Sequence, residues 1–218
     1  MRTLIKLESG QRMTRPARIQ PDERRVRYHP PESGALSDAQ SELYADIVHG
    51  PRAAEAEYIP VVDQNGRLIG PFSLMMINPE VGAAVQMLGA ALRFSGSLTP
   101  RVRELAILTV AAQHRCGFEW MAHEARAAAA GLSTDQIAAI KTAKVPARLS
   151  RAESVAHLTA LALLRRHRLT DPEYRTAIEA LDEASVAELV WLCGYYSMLA
   201  VALATFEPAV PPAASTVF

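Results

Sequence analysis

The sequence predicts an all-α protein: a helical bundle of about eight helices, preceded by an irregular N-terminal arm. Helix start signals recur from residue 36 onward, apolar residues follow them at helical spacing, and only one short stretch is strand-like. Half of the 218 residues are hydrophobic, so the chain can bury a sizeable core. We expect an arm over 1–35, a helical domain over 36–210 and a tail over 211–218.

Two segments of the chain lack helical periodicity. The arm is rich in proline and arginine, which is typical of an extended or disordered tail, or of an arm that wraps a neighbouring subunit or an anionic ligand. The stretch 58–63 is strand-like, and Asn65-Gly66 follows it as a tight-turn signal. It predicts a short hairpin or a loop.

Five segments match the capping box, in which Ser or Thr is followed three residues later by Glu or Gln. They start at Ser37, Ser133, Ser150, Thr170 and Ser185. Each precedes an apolar run, so each predicts the beginning of a helix.

Two further helices are predicted from proline at the first helical position. One opens at Asn78-Pro79 and runs to about Phe94, and the other opens at Thr99-Pro100. A break is expected between His114 and Gly117, because glycine weakens a continuous helix and the apolar pattern changes phase there.

The uncharged stretch 189–206 is long enough to cross a membrane. It contains polar Tyr195 and Tyr196, and Glu188 and Glu207 bracket it where Lys or Arg anchors are typical. The pattern favours a central helix buried in the domain or in a subunit interface.

Composition excludes several classes of function. The formal net charge is zero and the pI is about 7.0, so neither nucleic acid nor an anionic membrane is an expected partner. Two cysteines do not form a disulfide framework, and the N-terminus lacks an apolar signal-peptide core. No glycine loop for phosphate or dinucleotide follows a strand. We expect a cytoplasmic protein that acts on a small molecule.

The candidate chemistry lies within twenty residues. Cys116, Glu119 or Trp120, and His123 have the spacing of one helical face, and Glu104 lies on the preceding helix. A cysteine at a helix N-terminus is favoured as thiolate. Each candidate also has a structural interpretation. Glu104 could only complement the start of its own helix, Cys116 could be a small buried residue, and His123 with Glu119 could be an ordinary i,i+4 pair. A metal held by Cys116, Glu119 and His123 is disfavoured, because no second ligand cluster supports it.

The run RVRELAILTVAAQHRCGFEWMAHEARAAAAGLSTDQI resembles the carboxymuconolactone decarboxylase and AhpD-like alkylhydroperoxidase superfamily. So do Gly70-Pro71-Phe72, Asn78-Pro79-Glu80, Glu188-Leu189 and Gly194-Tyr195-Tyr196. The resemblance covers about 36–208. It implies an AhpD-like helical bundle that assembles as a homo-oligomer, commonly a trimer or hexamer, with a dimer as a further possibility.

The resemblance separates two activities. Peroxidase members have a Glu, a CxxC and a His, and here Glu104, Cys116 and His123 match them while Glu119 replaces the second cysteine. A carboxylate cannot resolve a sulfenic acid into a disulfide, and Cys193 could replace it only by packing beside Cys116. The decarboxylase branch has a Glu-aromatic-x-x-His pattern, which matches 119–123. It implies a lyase without metal or organic cofactor that decarboxylates a carboxy-substituted unsaturated lactone.

On this hypothesis His123 is the general acid, because its ordinary pKa is closest to neutrality. Glu104 orients it or shuttles its proton, and Glu119 is the second candidate. Further side chains are expected at the substrate: guanidinium from Arg101 or Arg103, stacking by Trp120, and pocket walls from Tyr195, Tyr196, Phe72, Met75, Met76 and Met87. The alternatives are a thiol-dependent hydroperoxide reductase that uses Cys116, and a non-catalytic helical oligomer.

Overall fold

The computed structural model describes residues 26–52 and 61–218, and these residues contain ten α-helices and no β-strand. Eight of the helices have eight or more residues, which confirms the all-α prediction and the expected number. The helices are α1 Asp38–His49, α2 Gly70–Met75, α3 Pro79–Phe94, α4 Pro100–His114, α5 Gly117–Ala129, α6 Thr134–Lys141, α7 Arg151–Arg166, α8 Asp171–Leu181, α9 Glu183–Phe206 and α10 Pro212–Ser215.

Four of the five predicted capping boxes are confirmed, at the starts of α1, α6, α7 and α8. The fifth is wrong, because α9 begins at Glu183, three residues before the start that Ser185 predicts, and Asp182 caps it by accepting from the Ser185 N–H at 2.8 Å. Glu188 instead accepts from the backbone N–H groups of Ser97 and Leu98 at 2.5 and 3.0 Å. Its carboxylate therefore ties the loop before α4 to α9.

The predicted helix boundaries around the candidate site are confirmed. Asn78 and Thr99 cap α3 and α4, each by accepting a backbone N–H. The chain leaves α4 at Arg115, whose φ of 51° is left-handed, and α5 starts at Gly117. This glycine lies so close to α10 that a β-carbon would be 2.0 Å from the Ala214 carbonyl oxygen.

Helix α4 lies at the centre of the bundle. Every residue from Val102 to Ala111 is buried, and α4 packs against α5, α7 and α9. Because α5 also follows α4 directly, polar side chains of these two helices can meet in the interior, away from solvent.

The strand-like patch forms a minimal hairpin in its described part. Val62 and Leu68 form an antiparallel bridge, and Gly66 takes a φ of 73° in the turn between them. Residues 58–60 of the predicted patch lie outside the described residues, as do residues 1–25 of the predicted arm.

Helix α9 is buried on one face only. Leu189 and Leu192 are in the core, whereas Trp191 and Val201 are 65% and 57% exposed. Within residues 26–52 and 61–218 it is the one helix that is long and apolar enough, by length and composition, to cross a membrane. Its inner face packs against α2, α3, α4, α7 and α8, as the sequence predicts for a core helix.

A second buried histidine predicts acid sensitivity of the fold. His157 Nδ1 lies 2.9 Å from the Thr109 hydroxyl, which itself donates to the Leu105 carbonyl oxygen, so Nδ1–H is the donor to Thr109. Burial lowers the pKa of His157 to about 4, and the charge of Arg165 acts in the same direction. The neutral form is therefore required in the folded state.

Because the folded pKa lies below the unfolded value of 6.5, the stability is complete above pH 6.5 and falls as the pH decreases toward 4. Between pH 7 and pH 4.5 the unfolding free energy of the wild type is expected to fall by about 2 kcal/mol more than that of His157→Gln. Urea unfolding at both pH values measures this difference. Parallel losses in the two proteins would contradict the assignment.

Candidate active site

The packing of α4 against α5 brings Glu104 and His123 together. Glu104 Oε2 lies 2.7 Å from His123 Nδ1, and the two residues are 2% and 5% exposed. The sequence predicted that Glu104 would lie on the helix before His123 and reach it. The structure places them in direct hydrogen-bond contact.

Glu104 has a second partner on α3. Its Oε1 forms an ion pair with Arg93, which lies in the last turn of that helix. Burial by itself would raise the pKa of Glu104, but His123 and Arg93 lower it to about 2. Glu104 is therefore an ionised carboxylate that holds His123 in one orientation.

His123 is a neutral base in this arrangement. Burial lowers its pKa, although the Glu104 carboxylate opposes that change. Since Nδ1–H donates to Glu104, the neutral ring presents the lone pair of Nε2 to its other side. To act as the general acid that the sequence predicts, His123 must therefore first receive a proton at Nε2.

Glu119 lies on the Nε2 side of His123. Its Oε2 is 3.7 Å from Nε2, and its Oε1 has no hydrogen-bond partner among the described residues. Burial raises the pKa of Glu119 to about 8, although the charges of Arg126 and Arg52 oppose this. The residue is therefore largely a neutral carboxylic acid at neutral pH.

A pocket lies beside this acid and base. Its lining combines three guanidinium groups, two phenols and apolar walls: Arg52, Val61, Pro71, Phe72, Arg93, Phe118, Glu119, Ala122, His123, Arg126, Tyr195, Tyr196 and Leu199. The free volume is about 40 Å³, enough for one or two water molecules. The pocket is therefore too small for the organic acid that the sequence predicts as substrate, and one wall must move to admit it.

Two tyrosines of α9 form one side of the pocket. The Tyr196 ring packs edge-on against His123 with a centroid distance of 5.1 Å, and Tyr195 packs edge-on against Tyr196. Burial raises the pKa of both phenols, that of Tyr195 to about 12. Both remain neutral hydrogen-bond donors, and both lie where the sequence predicted.

The arginines predicted to bind substrate lie elsewhere. Arg101 is held by Glu153 at 2.5 Å and by the Gly131 carbonyl, while Arg103 donates to the Leu98 carbonyl oxygen at 2.8 Å. Neither lines the pocket, because both side chains tie α4 to neighbouring loops and helices. The prediction that they contact substrate is therefore not supported by their positions.

The pocket uses three arginines that the sequence analysis did not select. Arg126 lies one turn after His123 on α5, so the i,i+3 spacing was a signal that could have found it. Arg93 and Arg52 come from other parts of the chain. Arg52 donates to Gln86 Oε1 at 2.8 Å and lies 5.1 Å from the centre of the Phe72 ring.

Trp120 does not line the pocket that Glu119 and His123 line. It is fully buried and packs edge-on against Phe218 at a centroid distance of 5.6 Å. The expected stacking of Trp120 on substrate is corrected, since residue 120 is rotated by about 100° from residue 119 around a helix. Met75 and Met76 belong to the hydrophobic core and Met87 is exposed, so none of the three lines the pocket.

Cys116 lies at the N-cap of α5, as expected, but not in the pocket of His123. It lines a separate hollow of about 460 Å³, and Phe118 contributes to the walls of both spaces. Burial and the charge of Glu119 raise the pKa of Cys116 to about 12, although the backbone N–H groups of Glu119 and Phe118 oppose this. The expected activation of the thiolate by the helix start is therefore corrected.

Cys193 does not complete a cysteine pair. It is buried in the core cluster around α4 and α9, and both cysteines are free thiols. Cys193, the only other cysteine of the sequence, therefore forms no disulfide with Cys116.

Comparisons with known proteins agree with the fold. The model of the carboxymuconolactone decarboxylase family matches residues 79–164, which include Glu104, Glu119 and His123. A crystal structure from Ralstonia eutropha JMP134, described as an alkylhydroperoxidase AhpD core and an uncharacterized peroxidase-related protein, has a similar fold. The TM-score is 0.66 at 14% identity, over 85% of this chain and 92% of that one.

No curated protein matches the chain. The family match spans the two helices that carry Glu104, Glu119 and His123, and the structural match covers 85% of the chain. The chain is therefore similar to the carboxymuconolactone decarboxylase family over residues 79–164, and its fold is similar to that of an AhpD core.

Proposed function

We propose that the protein is a cofactor-independent lyase of the carboxymuconolactone decarboxylase type. Its substrate is a small carboxylated lactone or a related unsaturated acid, and the proton is transferred through His123. One observation carries the proposal: the Glu104–His123 hydrogen bond of 2.7 Å faces a pocket that three arginines line.

The arginines suit the charge of such a substrate. Arg93 forms an ion pair with Glu104. Arg52, from the segment after α1, and Arg126, from α5, also line the pocket. A guanidinium group binds a carboxylate through two parallel hydrogen bonds. Phe72 and Phe118 supply apolar walls for the lactone ring.

The reaction requires a proton at carbon. When the carbon–carbon bond to the carboxylate breaks, its electron pair moves through the adjacent double bond to the ring carbonyl, and carbon dioxide leaves. The resulting dienolate takes a proton at the carbon next to the carbonyl. His123 delivers this proton from Nε2 after it has received one, and Glu119 at 3.7 Å is the neighbouring source.

The proposal is tested with an unsaturated five-membered lactone that carries a carboxylate on its γ-carbon. The purified protein is expected to release carbon dioxide and to form the lactone with a shifted double bond, as followed by proton NMR. Glu124→Gln is the control, because Glu124 is exposed on the same helix and its loss should leave the rate unchanged. Absence of carbon dioxide release over the uncatalysed rate would overturn the proposal.

A second candidate function is thiol-dependent hydroperoxide reduction by Cys116. The position of Cys116 at the start of α5, on the wall of an open hollow, favours it. The raised pKa of the thiol opposes it, because the thiolate is the nucleophile that attacks peroxide.

We expect Cys116→Ser to leave lactone turnover unchanged and the wild-type thiol to react with peroxide no faster than a free cysteine. Thiol titration after peroxide treatment measures the second quantity. Rapid loss of one thiol, abolished in Cys116→Ser, would instead establish the peroxidase function.

We also propose that the protein is a homo-oligomer. Apolar side chains on the outer faces of α3 and α9 support this, among them Met87 and Trp191 at 68% and 65% exposure, because large exposed apolar patches mark association surfaces. Light scattering of the purified protein measures the mass. A monomer at micromolar concentration would contradict the proposal.

A further inference from the structure

We propose that Glu119 and His123 form a proton donor and a proton acceptor on one wall of the pocket, and that this pair gives the site a second activity. The activity is a 1,3-shift of a proton, with migration of the double bond, in a β,γ-unsaturated lactone or acid. The inference rests on the proposed function for the class of substrate. It does not require decarboxylation.

The acceptor is Nε2 of His123. Its ring is fixed on two sides, by the Glu104 carboxylate at Nδ1 and by the edge-on contact with Tyr196. Because Glu104 is ionised and also paired with Arg93, the proton of the neutral ring stays on Nδ1. Nε2 is left as a lone pair that faces Glu119 and the pocket.

The donor is the carboxyl group of Glu119. It is 3% exposed, its Oε1 has no hydrogen-bond partner among the described residues, and its Oε2 lies 3.7 Å from Nε2. Burial of an ionised carboxylate without a hydrogen-bond partner is energetically unfavourable, so the protonated form of Glu119 is favoured. The raised pKa of Glu119 agrees with the geometry.

Charged and titratable groups face Glu119 from every element that packs around it. They are Arg52 before the hairpin, Arg93 on α3, Glu104 on α4, Cys116 at the N-cap of α5, His123 and Arg126 on α5, and Tyr195 and Tyr196 on α9. Arg52 and Arg126 favour the ionised form of Glu119, and burial outweighs them. An anionic substrate that engages these two arginines strengthens the acid form further.

The proton shift needs no other reactant, and both catalytic groups return to their starting protonation states. Nε2 takes the proton from the carbon next to the carbonyl, and the carbon–hydrogen electron pair forms the dienolate. Glu119 then gives its proton to the γ-carbon, so the double bond moves into conjugation and the carbonyl is restored. The imidazolium and carboxylate that remain return to their starting states by one proton transfer from Nε2 to Oε2, across the 3.7 Å that separates them.

The spacing of the two groups fits this step. The α- and γ-carbons of one substrate are two bonds apart, so a substrate that lies against the wall of Nε2 and Oε2 brings each carbon beside one of these two atoms. A donor and an acceptor on the same wall predict that the proton leaves and arrives on one face of the ring. Phe72 and Phe118 would confine a flat ring against that wall.

The test uses a β,γ-unsaturated five-membered lactone with a carboxymethyl group and no carboxylate on the γ-carbon, so that decarboxylation is impossible. The wild type is expected to move the double bond into conjugation, as followed by proton NMR. Glu119→Gln, which keeps shape and removes the proton, is expected to slow this by at least about 100-fold. Glu124→Gln is the matched control on the exposed face of α5, with an unchanged rate. A wild type that leaves the double bond in place, or a Glu119→Gln variant as fast as the wild type, would overturn the proposal.

A second measurement does not depend on turnover. Infrared difference spectra in H₂O and D₂O detect the carbonyl stretch of a protonated carboxylic acid. We expect this band in the wild type at neutral pH, its loss in Glu119→Gln and its retention in Glu104→Gln. Its absence from the wild type, or its persistence in Glu119→Gln, would show that Glu119 does not hold the proton.

The two proposals can be refuted independently of each other. Decarboxylation of the γ-carboxylated lactone without any proton shift in the second lactone would overturn this inference and leave the proposed function intact. A proton shift without decarboxylation would overturn the proposed function and support the inference.

Discussion

Replacement of His123 by alanine is expected to lower the rate of lactone decarboxylation by at least about 100-fold, the effect of removing a positioned acid or base. Nε2 of this ring is the atom through which the proton passes, and Glu104 holds the ring at 2.7 Å. Tyr196 contacts the ring edge-on, but burial raises the pKa of its phenol, so it does not replace the imidazole. Initial rates of carbon dioxide release measure the loss.

The His123→Ala protein must be shown to fold before its rate is interpreted. We expect its circular dichroism to match the wild type, and His123→Asn serves as a polar variant that fills more of the space. If either folded variant keeps the wild-type rate, proton transfer at His123 is excluded.

Replacement of Glu104 by alanine is expected to destabilise the fold by about 3–5 kcal/mol, the usual effect of removing one partner of a buried ion pair. Glu104 connects α3, α4 and α5 through Arg93 and His123. Its loss leaves a buried guanidinium without this carboxylate. Chemical denaturation of the variant and the wild type measures the difference in unfolding free energy.

Glu179→Ala is the matched control. Glu179 pairs with Arg151 at 3.2 Å, but both side chains are about two-thirds exposed, and such pairs contribute about 0–1 kcal/mol. An equal effect of the two substitutions would contradict the role of burial at Glu104.

The same carboxylate predicts a pH dependence. The pKa of Glu104 is lowered from 4.5 to about 2, so its contribution to stability is complete above pH 4.5 and is lost as the pH falls toward 2. The Glu104→Ala variant should lack this part of the acid transition. A variant that loses stability as steeply as the wild type over that range would argue against the assignment.

Local sequence signals were sufficient to predict the helices that hold the site. Thr99 and Pro100 start α4, and Gly117 permits the chain to restart as α5. Since α4 and α5 are neighbours in sequence and both apolar, their packing followed, and with it the contact between Glu104 and His123.

The binding arginines could not be chosen in the same way. Arg93 has the signature of a cation in the last turn of a helix, which is a common structural feature. Only the tertiary fold shows that it reaches Glu104 rather than solvent. Arg101 and Arg103 are nearer to Glu104 in sequence, but their side chains bond loop carbonyls and Glu153.

Helical phase accounts for the errors at Cys116 and Trp120. Cys116 is an N-cap residue with non-helical φ and ψ, so the spacing of i and i+7 does not apply to it. Glu119 and His123 define the face toward the pocket, and Trp120 is rotated away from it into the cluster with Phe218. A cap position was predicted there, but its effect on side-chain direction was not.

The central claim is that a side chain of this pocket delivers the proton to the substrate carbon. Decarboxylation in D₂O, with proton NMR of the first product formed, tests it most directly. The account predicts one deuterium next to the carbonyl for each carbon dioxide released, at a single one of the two hydrogen positions. Deuterium divided equally between both positions would mean that solvent protonates a released dienolate, and would contradict the account.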